Sequence, residues 1–350
     1  MITVKEIAKH CDVSPSTVSN ILNGKSNVGE ATKHKVLAYV KKTGYQPNYF
    51  AQNIRNKGSR LISIIAEDLT VFGTNPVVES IMAYCDDNNY RTVLMNLGLY
   101  KKWRDTWYND VDILKASASP AIAESLAIRV KGIIYVAGHC RMIDCFPDDY
   151  STPSIIAYGL SQNNKFPSVV IDDEGGGYDI TNYLITKNHR KIGLIAGAEE
   201  NLHTKSRLHG YQKALFDNGL LYNPSVVYYG NWRRASGYAG AKQLLSEGVT
   251  AMFCMNDEMA AGAYDFLYDS NISVGKDISI AGFDNMELSD YLRPRLTTNE
   301  VPLVEIGKKA AEILIQTLEG TSADMHEHSI FRMPCNIVER ESVHDVKEKA

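Results

Sequence analysis

The sequence predicts an all-α helix-turn-helix headpiece joined to an α/β body of two lobes with parallel sheets. Three observations predict it. Short helix signals crowd the first 45 residues, strand-like apolar runs alternate with helix-like stretches from Leu61 onward, and the charge divides between those regions. Residues 1–60 carry ten Lys and Arg against three acids, a net of +7, whereas the whole chain is −4, leaving −11 on residues 61–350. A basic head on an acidic body is the electrostatic footprint of a nucleic-acid arm on a separate globular domain.

The first helix begins at Thr3, which with Glu6 has capping-box spacing, and Ile7, Ala8 and Cys11 form its apolar stripe. Asp12-Val13 makes the turn. Ser14 caps the second helix, Pro15 sits at its first position where a missing N–H does no harm, and Asn23-Gly24 closes it. Thr17, Val18, Ile21 and Leu22 include the inward face, which leaves Pro15, Ser16 and Asn20 pointing outward. Small polar tips at the start of a second short helix suit reading in a major groove. A third helix is expected from Glu30 to Lys42, with Ala31, His34, Val36, Leu37 and Val40 as packing positions and Gly44 as the stop. Tyr49 to Asn56, where Ala51 and Ile54 share a face, is too short to be a stable isolated helix in water. Its order would depend on what it touches, as a switch requires.

In the body, the expected strands are 61–66, 91–95, 132–136, 154–157, 168–171, 191–196, 226–229, 251–255 and 278–283. The helices between them are expected at 77–89, 177–187, 205–218, 236–247 and 259–270. Strands alternating with helices imply parallel sheets covered on both faces, and so many elements imply two lobes. Ligands in such folds lie beyond the carboxyl ends of strands, here just after Ala66, Val136, Ala157, Met255 and Phe283. The stretch 97–121, crowded with aromatic and basic residues, reads as a loop or surface helix without assignable chemistry.

With 44% hydrophobic and 22% charged residues, the composition is that of a soluble globular protein. No apolar run reaches a membrane span, so no membrane partner is expected, and the basic N-terminus is unlike an export signal, so the cytoplasm is the expected place. Six scattered cysteines without a Cys-x-x-Cys pair imply reduced thiols, with no zinc site and no cofactor. No nucleophile elbow, phosphate loop or zinc-protease motif occurs, so an enzyme is not expected. Gly175-Gly-Gly177 reads as a glycine run at a helix start rather than a phosphate cradle, and His326-Glu327-His328 as a solvated loop.

The motifs Thr3-Val-Lys-Glu-Ile-Ala8, Val13-Ser-Pro-Ser-Thr-Val-Ser19 with Leu22-Asn-Gly24, and Gly44-Tyr-Gln-Pro-Asn48 occur together in the head. The body adds Tyr183-Leu-Ile185, His189-Arg-Lys-Ile-Gly193, Arg207-Leu-His-Gly-Tyr211, Asn256-Asp257, Gly282-Phe-Asp284 and Pro294-Arg-Leu-Thr-Thr298. In this combination the chain resembles the lactose-repressor (LacI/GalR) family of bacterial transcription regulators over its full length.

The resemblance implies a headpiece at 1–46, a hinge helix at 47–60, and a two-lobed, periplasmic-binding-protein-like (type I) effector domain at 61–350. Lobe one would take about 61–165 and 301–326, and lobe two about 166–300 and 327–345. The helix 302–318 would return to the first lobe and residues 331–340 to the second. By position, Pro15, Ser16 and Asn20 would read bases, and Asn20 suits a bidentate contact with adenine where the family commonly has Arg or Lys. Thr3, Ser14, Thr17, Ser19, Asn23, Tyr45 and Asn48 would hold phosphates. Ile54, on the Ala51 face and next to Arg55, falls where the family inserts a minor-groove wedge.

Phe72, Tyr158, Arg207, Trp232, Asn256 and Asp284 match effector-contact positions, with chemistry suited to a sugar-like polyol. Asn188 replaces the glycine usual before His189 and is compatible with a left-handed backbone. The charged tail after Arg340 lacks an apolar heptad, so a homodimer on a palindromic double-stranded operator is expected. The competing expectation is a solute-binding or sugar-processing protein without operator binding. The +7 head and the N-terminus unlike an export signal favour the regulator.

Overall fold

The computed structural model describes residues 2–22, 28–45, 60–103, 110–321 and 329–346. Residues 1–59 and 60–350 form two compact units.

In the first unit, helix α1 (Val4–Cys11), α2 (Pro15–Leu22) and α3 (Glu30–Thr43) surround a small core of Ile7, Ala8, Cys11, Val18, Ile21 and Val36. Burying each larger aliphatic side chain contributes roughly 1.5–3 kcal/mol. The boundaries follow local chemistry. Thr3 Oγ1 accepts from the Glu6 N–H at 3.3 Å while Glu6 Oε2 accepts from the Thr3 N–H at 2.8 Å, closing the capping box. Asp12 and Gly44, both left-handed, end α1 and α3. Within α3 the packing differs from expectation. Val36 is the buried anchor with Tyr39 and Val40 beside it, and Ala31, His34 and Leu37 face solvent, because α3 meets α1 and α2 along one narrow line.

Among the described residues the body has two six-stranded sheets. Its strands are β1 (Leu61–Ala66), β2 (Arg91–Asn96), β3 (Gly132–Val136), β4 (Met142–Ile143), β5 (Ser154–Ala157), β6 (Leu160–Ser161), β7 (Ser168–Ile171), β8 (Ile192–Ala196), β9 (Val227–Tyr229), β10 (Ala251–Cys254), β11 (Ser279–Asp284), β12 (Thr297–Glu300), β13 (Ile330–Met333) and β14 (Asn336–Val338). The first sheet runs β13-β7-β5-β3-β1-β2 and is parallel throughout. The second runs β14-β12-β11-β10-β8-β9, parallel except for the β12–β14 pair. β4 and β6 form a small ribbon of their own. Central strands such as β1 and β8 are buried at every residue, as parallel strands between helix layers must be.

Pairing moves the lobe boundaries. Ser168–Ile171 and Ile330–Met333 both belong to the first sheet, so the first and third crossings fall after Ile171 and Met333 rather than near 165 and 326. Residues 331–340 do not go to the second lobe as a block. They split at Pro334-Cys335, β13 pairing with β7 and β14 with β12. The Asp172 N–H donates to the Met333 carbonyl at 2.8 Å and ties these two crossings together.

The stretch 97–121 is largely helical where described, as one of its two expected forms, but it is not confined to the surface. Helices Leu99–Trp103 and Val111–Ala127 occupy its described part, and Leu97, Leu99, Leu114, Ala118 and Ala121 are buried in a core cluster on β1 and β3. The helix at Asp173–Thr186 begins four residues before Gly177. A Cβ on Gly177 would lie 2.5 Å from the Arg207 carbonyl oxygen, so the glycines let this helix lie close against the helix Leu202–Asp217. All six cysteines are free and buried. Among the described residues no helix is long and apolar enough to cross a membrane.

Candidate functional site

Two constellations stand out, one in each unit. In the head, Ser14 Oγ accepts from the Thr17 N–H at 3.1 Å and lies 2.7 and 2.9 Å from the hydroxyls of Ser16 and Thr17. This cap fixes the start of α2. Val18 and Ile21 turn inward, Thr3, Ser14, Pro15 and Ser16 are exposed, and Thr17, Ser19, Asn20 and Tyr45 are half-buried. Lys5, Lys9, Lys35, Lys41 and Lys42 are exposed on α1 and α3. The ring of His10 stacks on Tyr39 at 3.7 Å. Asn23, Asn48, Ala51, Ile54 and Arg55, with the hinge at 47–59 and the loop 326–328, lie outside the described residues.

In the body, each sheet has a topological switch point, where neighbouring connections leave in opposite directions and a crevice opens. The first lies between β1 and β3. Glu67, following β1, is fully buried and accepts from the Tyr135 hydroxyl at 2.9 Å, from the Gly138 N–H at 2.6 Å and from the Arg141 guanidinium. Burial pushes the Glu67 carboxyl above its usual range, against the pull of Arg141.

The second switch point lies between β8 and β10. There Arg207 donates from Nε to Asp173 Oδ1 at 2.8 Å and from Nη1 to the Met255 carbonyl. Its Nη1 stands 3.8 Å from Asp284 Oδ1, and its guanidinium lies 3.6 Å from the Phe283 ring centre and 5.7 Å from that of Trp232. Asp173 Oδ2 is 2.8 Å from Nδ1 of His203, whose Nε2 accepts from the Cys140 N–H at 3.1 Å. An accepting Nε2 requires the proton on Nδ1, so His203 donates to Asp173. Cys140 follows β3 in the first lobe and His203 opens a helix of the second, so this bond joins the lobes across the cleft.

The charges are arranged in pairs. Burial alone would raise Asp173, but His203 and Arg207 beside it offset this and hold it below the usual carboxylate range. Burial, with Asp257 and Asp173 adding to it, pushes Asp284 well above that range despite Arg207. Burial likewise raises the Asp257 carboxyl to about 7, against the bonds from Thr298 and the backbone of Met286 and Phe283. Asp257 Oδ1 accepts from the Thr298 hydroxyl at 2.6 Å and Oδ2 from the Met286 N–H at 2.7 Å, which fastens the turn that presents Asp284.

Five of the six effector candidates belong to this cluster. Asn256 caps the helix Asp257–Asp269 by accepting from the Met259 N–H at 2.8 Å, and its Nδ2 donates to the Trp232 carbonyl at 2.9 Å. It positions Trp232 and the helix start. Trp232 packs on Gly197, where a Cβ would be 2.0 Å from its Cζ2. The ring of Tyr158 is 5.7 Å from that of His203. Tyr158, Trp232 and Asp284 all have positive φ, at 63°, 69° and 112°. Each such backbone costs about 1–3 kcal/mol and persists where surroundings enforce it, commonly at functional sites. Phe72 is set apart: 37% exposed, it precedes Gly73, which lies against the Tyr158 ring.

Sequence reasoning named neither Asp173 nor His203, and it reached Glu67 only as the unnamed position after Ala66. The rule that ligands gather beyond strand ends pointed to the residue after Ala66, and the same rule applied to Ile171 reaches Asp173. His203 sits one helical turn before Arg207, a spacing that places both on one face.

The chain matches the family described as bacterial regulatory proteins, lacI family, over residues 3–48, and the periplasmic binding protein-like domain over residues 181–343. It is 30% identical over 351 residues to the HTH-type transcriptional repressor PurR of Vibrio atlanticus, covering 98% of this chain and 99% of that one. It is 29% identical over 349 residues to catabolite control protein A of Priestia megaterium, covering 97% and 99%. Among solved structures, the lac repressor dimer bound to operator and the anti-inducer ONPF superposes with a TM-score of 0.78 at 25% identity, covering 98% of this chain and 99% of that chain.

Proposed function

The chain belongs to the lacI family of bacterial regulatory proteins, and from that premise we propose that it is a dimeric repressor whose hold on a palindromic operator is set by an uncharged, sugar-like ligand between its lobes. It regulates by binding, without a catalytic step. The observation that carries the DNA half is the outward face of α2. Ser14, Pro15 and Ser16 are exposed at its first turn, while Val18 and Ile21 anchor it to the headpiece core. In this reading Pro15, Ser16 and Asn20 meet base edges, and Thr3, Ser14, Thr17, Ser19 and Tyr45 meet phosphates.

The ligand half rests on Arg207. Its carboxylate partner Asp173, held ionised beside it, leaves no uncompensated positive charge to draw an anionic ligand. What the cluster offers is a fixed guanidinium edge, a carboxyl, a phenol and an indole face, which together suit ring hydroxyls and C–H groups. Tyr158, Arg207, Trp232 and Asp284 would touch the ligand, Asn256 would hold Trp232, and Phe72 would approach from the first lobe. A ligand that prefers one lobe arrangement shifts the population of the operator-binding dimer by its differential affinity.

The test is fluorescence anisotropy on a palindromic duplex selected from a random library. Specific binding should exceed random-duplex binding by at least a thousandfold, and its logarithm should fall linearly with log salt. A saccharide that changes operator affinity completes the case. Equal affinity for selected and random duplexes, indifferent to salt, would refute it.

A further inference from the structure

His203 joins the two lobes through a nitrogen that accepts only while the ring is neutral. The residue is almost wholly buried, and its backbone N–H is fixed by the Asn201 side chain at 2.8 Å, at the start of the helix Leu202–Asp217. Nδ1 donates to Asp173 at 2.8 Å within the second lobe, and Nε2 accepts from the Cys140 N–H of the first lobe at 3.1 Å. A proton on Nε2 would set one N–H against another. Neither group can turn away, since the Cys140 N–H belongs to the backbone and the ring is held by Asp173. The bond between the lobes and the doubly protonated ring therefore exclude each other.

We propose that the His203–Cys140 bond is a pH-sensitive latch between the lobes, closed while the ring is neutral and released when it takes up a proton. The latch belongs to the fold and does not depend on the identity of any ligand. Asp173, Arg207, Asp284 and Glu200 lie in the second lobe with His203, so they stay beside it whether the latch is closed or open. What differs is the side facing the first lobe. There His139, the Cys140 thiol and Tyr158 are neutral at pH 7. Burial holds His139 down to about 3, pushes the thiol up to about 12 and raises the phenol well above its usual range. Arg141 is paired with Glu67, while Arg332 on β13 and Asp110 at the start of the helix Val111–Ala127 oppose each other in sign. Opening replaces the Cys140 N–H with water, which can accept from a protonated Nε2, so the open arrangement takes the extra proton. The latched arrangement is thus favoured at high pH and is lost as pH falls through the range 8 to 5, where histidine changes charge, by up to about tenfold per pH unit.

The experiment follows the full chain without ligand from pH 8 to pH 5. Hydrogen exchange at the Cys140 amide, corrected for the intrinsic pH dependence of exchange, should lose protection by up to about tenfold per pH unit, while the amides of β3 keep theirs. Over the same interval the imidazole nitrogen spectrum should show His203 passing from the Nδ1–H form to the doubly protonated ring, and the radius of gyration from small-angle scattering should rise. In His203→Gln the amide can donate to Asp173 and accept from Cys140 without titrating, so protection and radius should stay level. His139→Gln should behave as the wild type does. Loss of Cys140 protection that does not follow the titration of the His203 ring would overturn the latch, a result that needs no variant to fold. A constant radius while protection is lost would overturn it too, because the bond would then not hold the lobes. Losses in His203→Gln parallel to those of the wild type, or a level response in His139→Gln, would have the same consequence.

Discussion

Asp173 and Arg207 face each other at 2.8 Å from adjacent helices, and both are almost wholly buried. Neither could be buried alone, because an unpaired charge in such a place is strongly destabilising. The pair is also oriented. Asp173 is held on its other oxygen by His203, and Arg207 is stacked on Phe283, so the guanidinium has little freedom to turn when a ligand arrives. The remaining edge of Arg207, toward Asp284, is therefore set before binding, which reduces the ordering a ligand must impose.

Asp173→Asn tests this arrangement. The amide keeps the shape but removes the charge that balances Arg207, and whichever way it turns, its NH2 faces a donor on Arg207 or His203. Saccharide affinity should fall at least tenfold by calorimetry, and thermal unfolding of the body should drop by about 3–5 kcal/mol. Operator affinity of the ligand-free protein should stay within threefold. Unchanged saccharide affinity would remove Asp173 from the ligand-positioning network.

Gly197→Ala tests the Trp232 platform. The new methyl would meet the indole 2.0 Å away, and since Asn256 pins the Trp232 backbone, the ring must swing aside. The methyl sits just beyond the end of β8, so the sheet itself should survive, with a loss of about 1–3 kcal/mol from overpacking. Saccharide affinity should fall about tenfold, read alongside a change in tryptophan fluorescence. A fluorescence change without loss of affinity would remove Trp232 from the ligand surface.

Most of the architecture was legible because it is written in local signals. The capping box at Thr3, the proline at the start of α2, and the apolar runs of β1, β3, β5 and β7 each occupy the residues their chemistry indicated. What escaped depends on long-range pairing. Nothing local in Phe331 or Ile337 tells which sheet each will join, since both strands are short and half-exposed. The helix Val111–Ala127 was obscured because Pro120 interrupts its pattern and because alanine and serine fill its buried face. At the site, Arg207 and Asp284 could be recognised from their motifs. The positive φ of Tyr158, Trp232 and Asp284 could not, since none is a glycine and the strain is imposed by tertiary contacts.

The pH dependence of stability should carry the signature of His189. This residue is fully buried, with Nδ1 3.0 Å from the Thr250 hydroxyl and Nε2 2.8 Å from the Ser279 hydroxyl and 3.1 Å from the His344 carbonyl. Burial, with His344 nearby, depresses its pKa from 6.5 to about 4. Between those values the unfolded chain takes up a proton that the native chain refuses. The stabilisation is thus present above pH 6.5 and is lost as pH falls toward 4, by about 2 kcal/mol. Asp257, raised to about 7, works in the opposite direction, losing stability as pH rises from about 4 to 7, so the two partly cancel in the wild-type protein. The comparison with His189→Gln separates them. Denaturant midpoints at pH 7 and pH 5 should show the wild type losing about 1–2 kcal/mol more than the variant over that interval, and parallel losses would exclude His189 as the group responsible.

The headpiece prediction separates reading from holding. Asn20 projects from α2 one turn beyond Ser16 and is half-buried, with a side chain able to accept and donate to adenine at once. Asn20→Ala should weaken the selected operator by about 1–3 kcal/mol while leaving random-duplex binding unchanged, so the specificity ratio collapses. Lys5→Ala, at an exposed position on α1, should instead weaken selected and random duplexes alike and reduce the salt slope by about one. Ser14→Ala acts through folding as well as through the phosphate contact proposed for it. It removes the acceptor of the Thr17 N–H, lowers headpiece stability by about 1 kcal/mol, and weakens both duplexes through the population of folded head. The three variants are distinguished by anisotropy on both duplexes at four salt concentrations, together with headpiece melting. Should Asn20→Ala lower both affinities equally, the residue holds the backbone and the bases are read from elsewhere on α2.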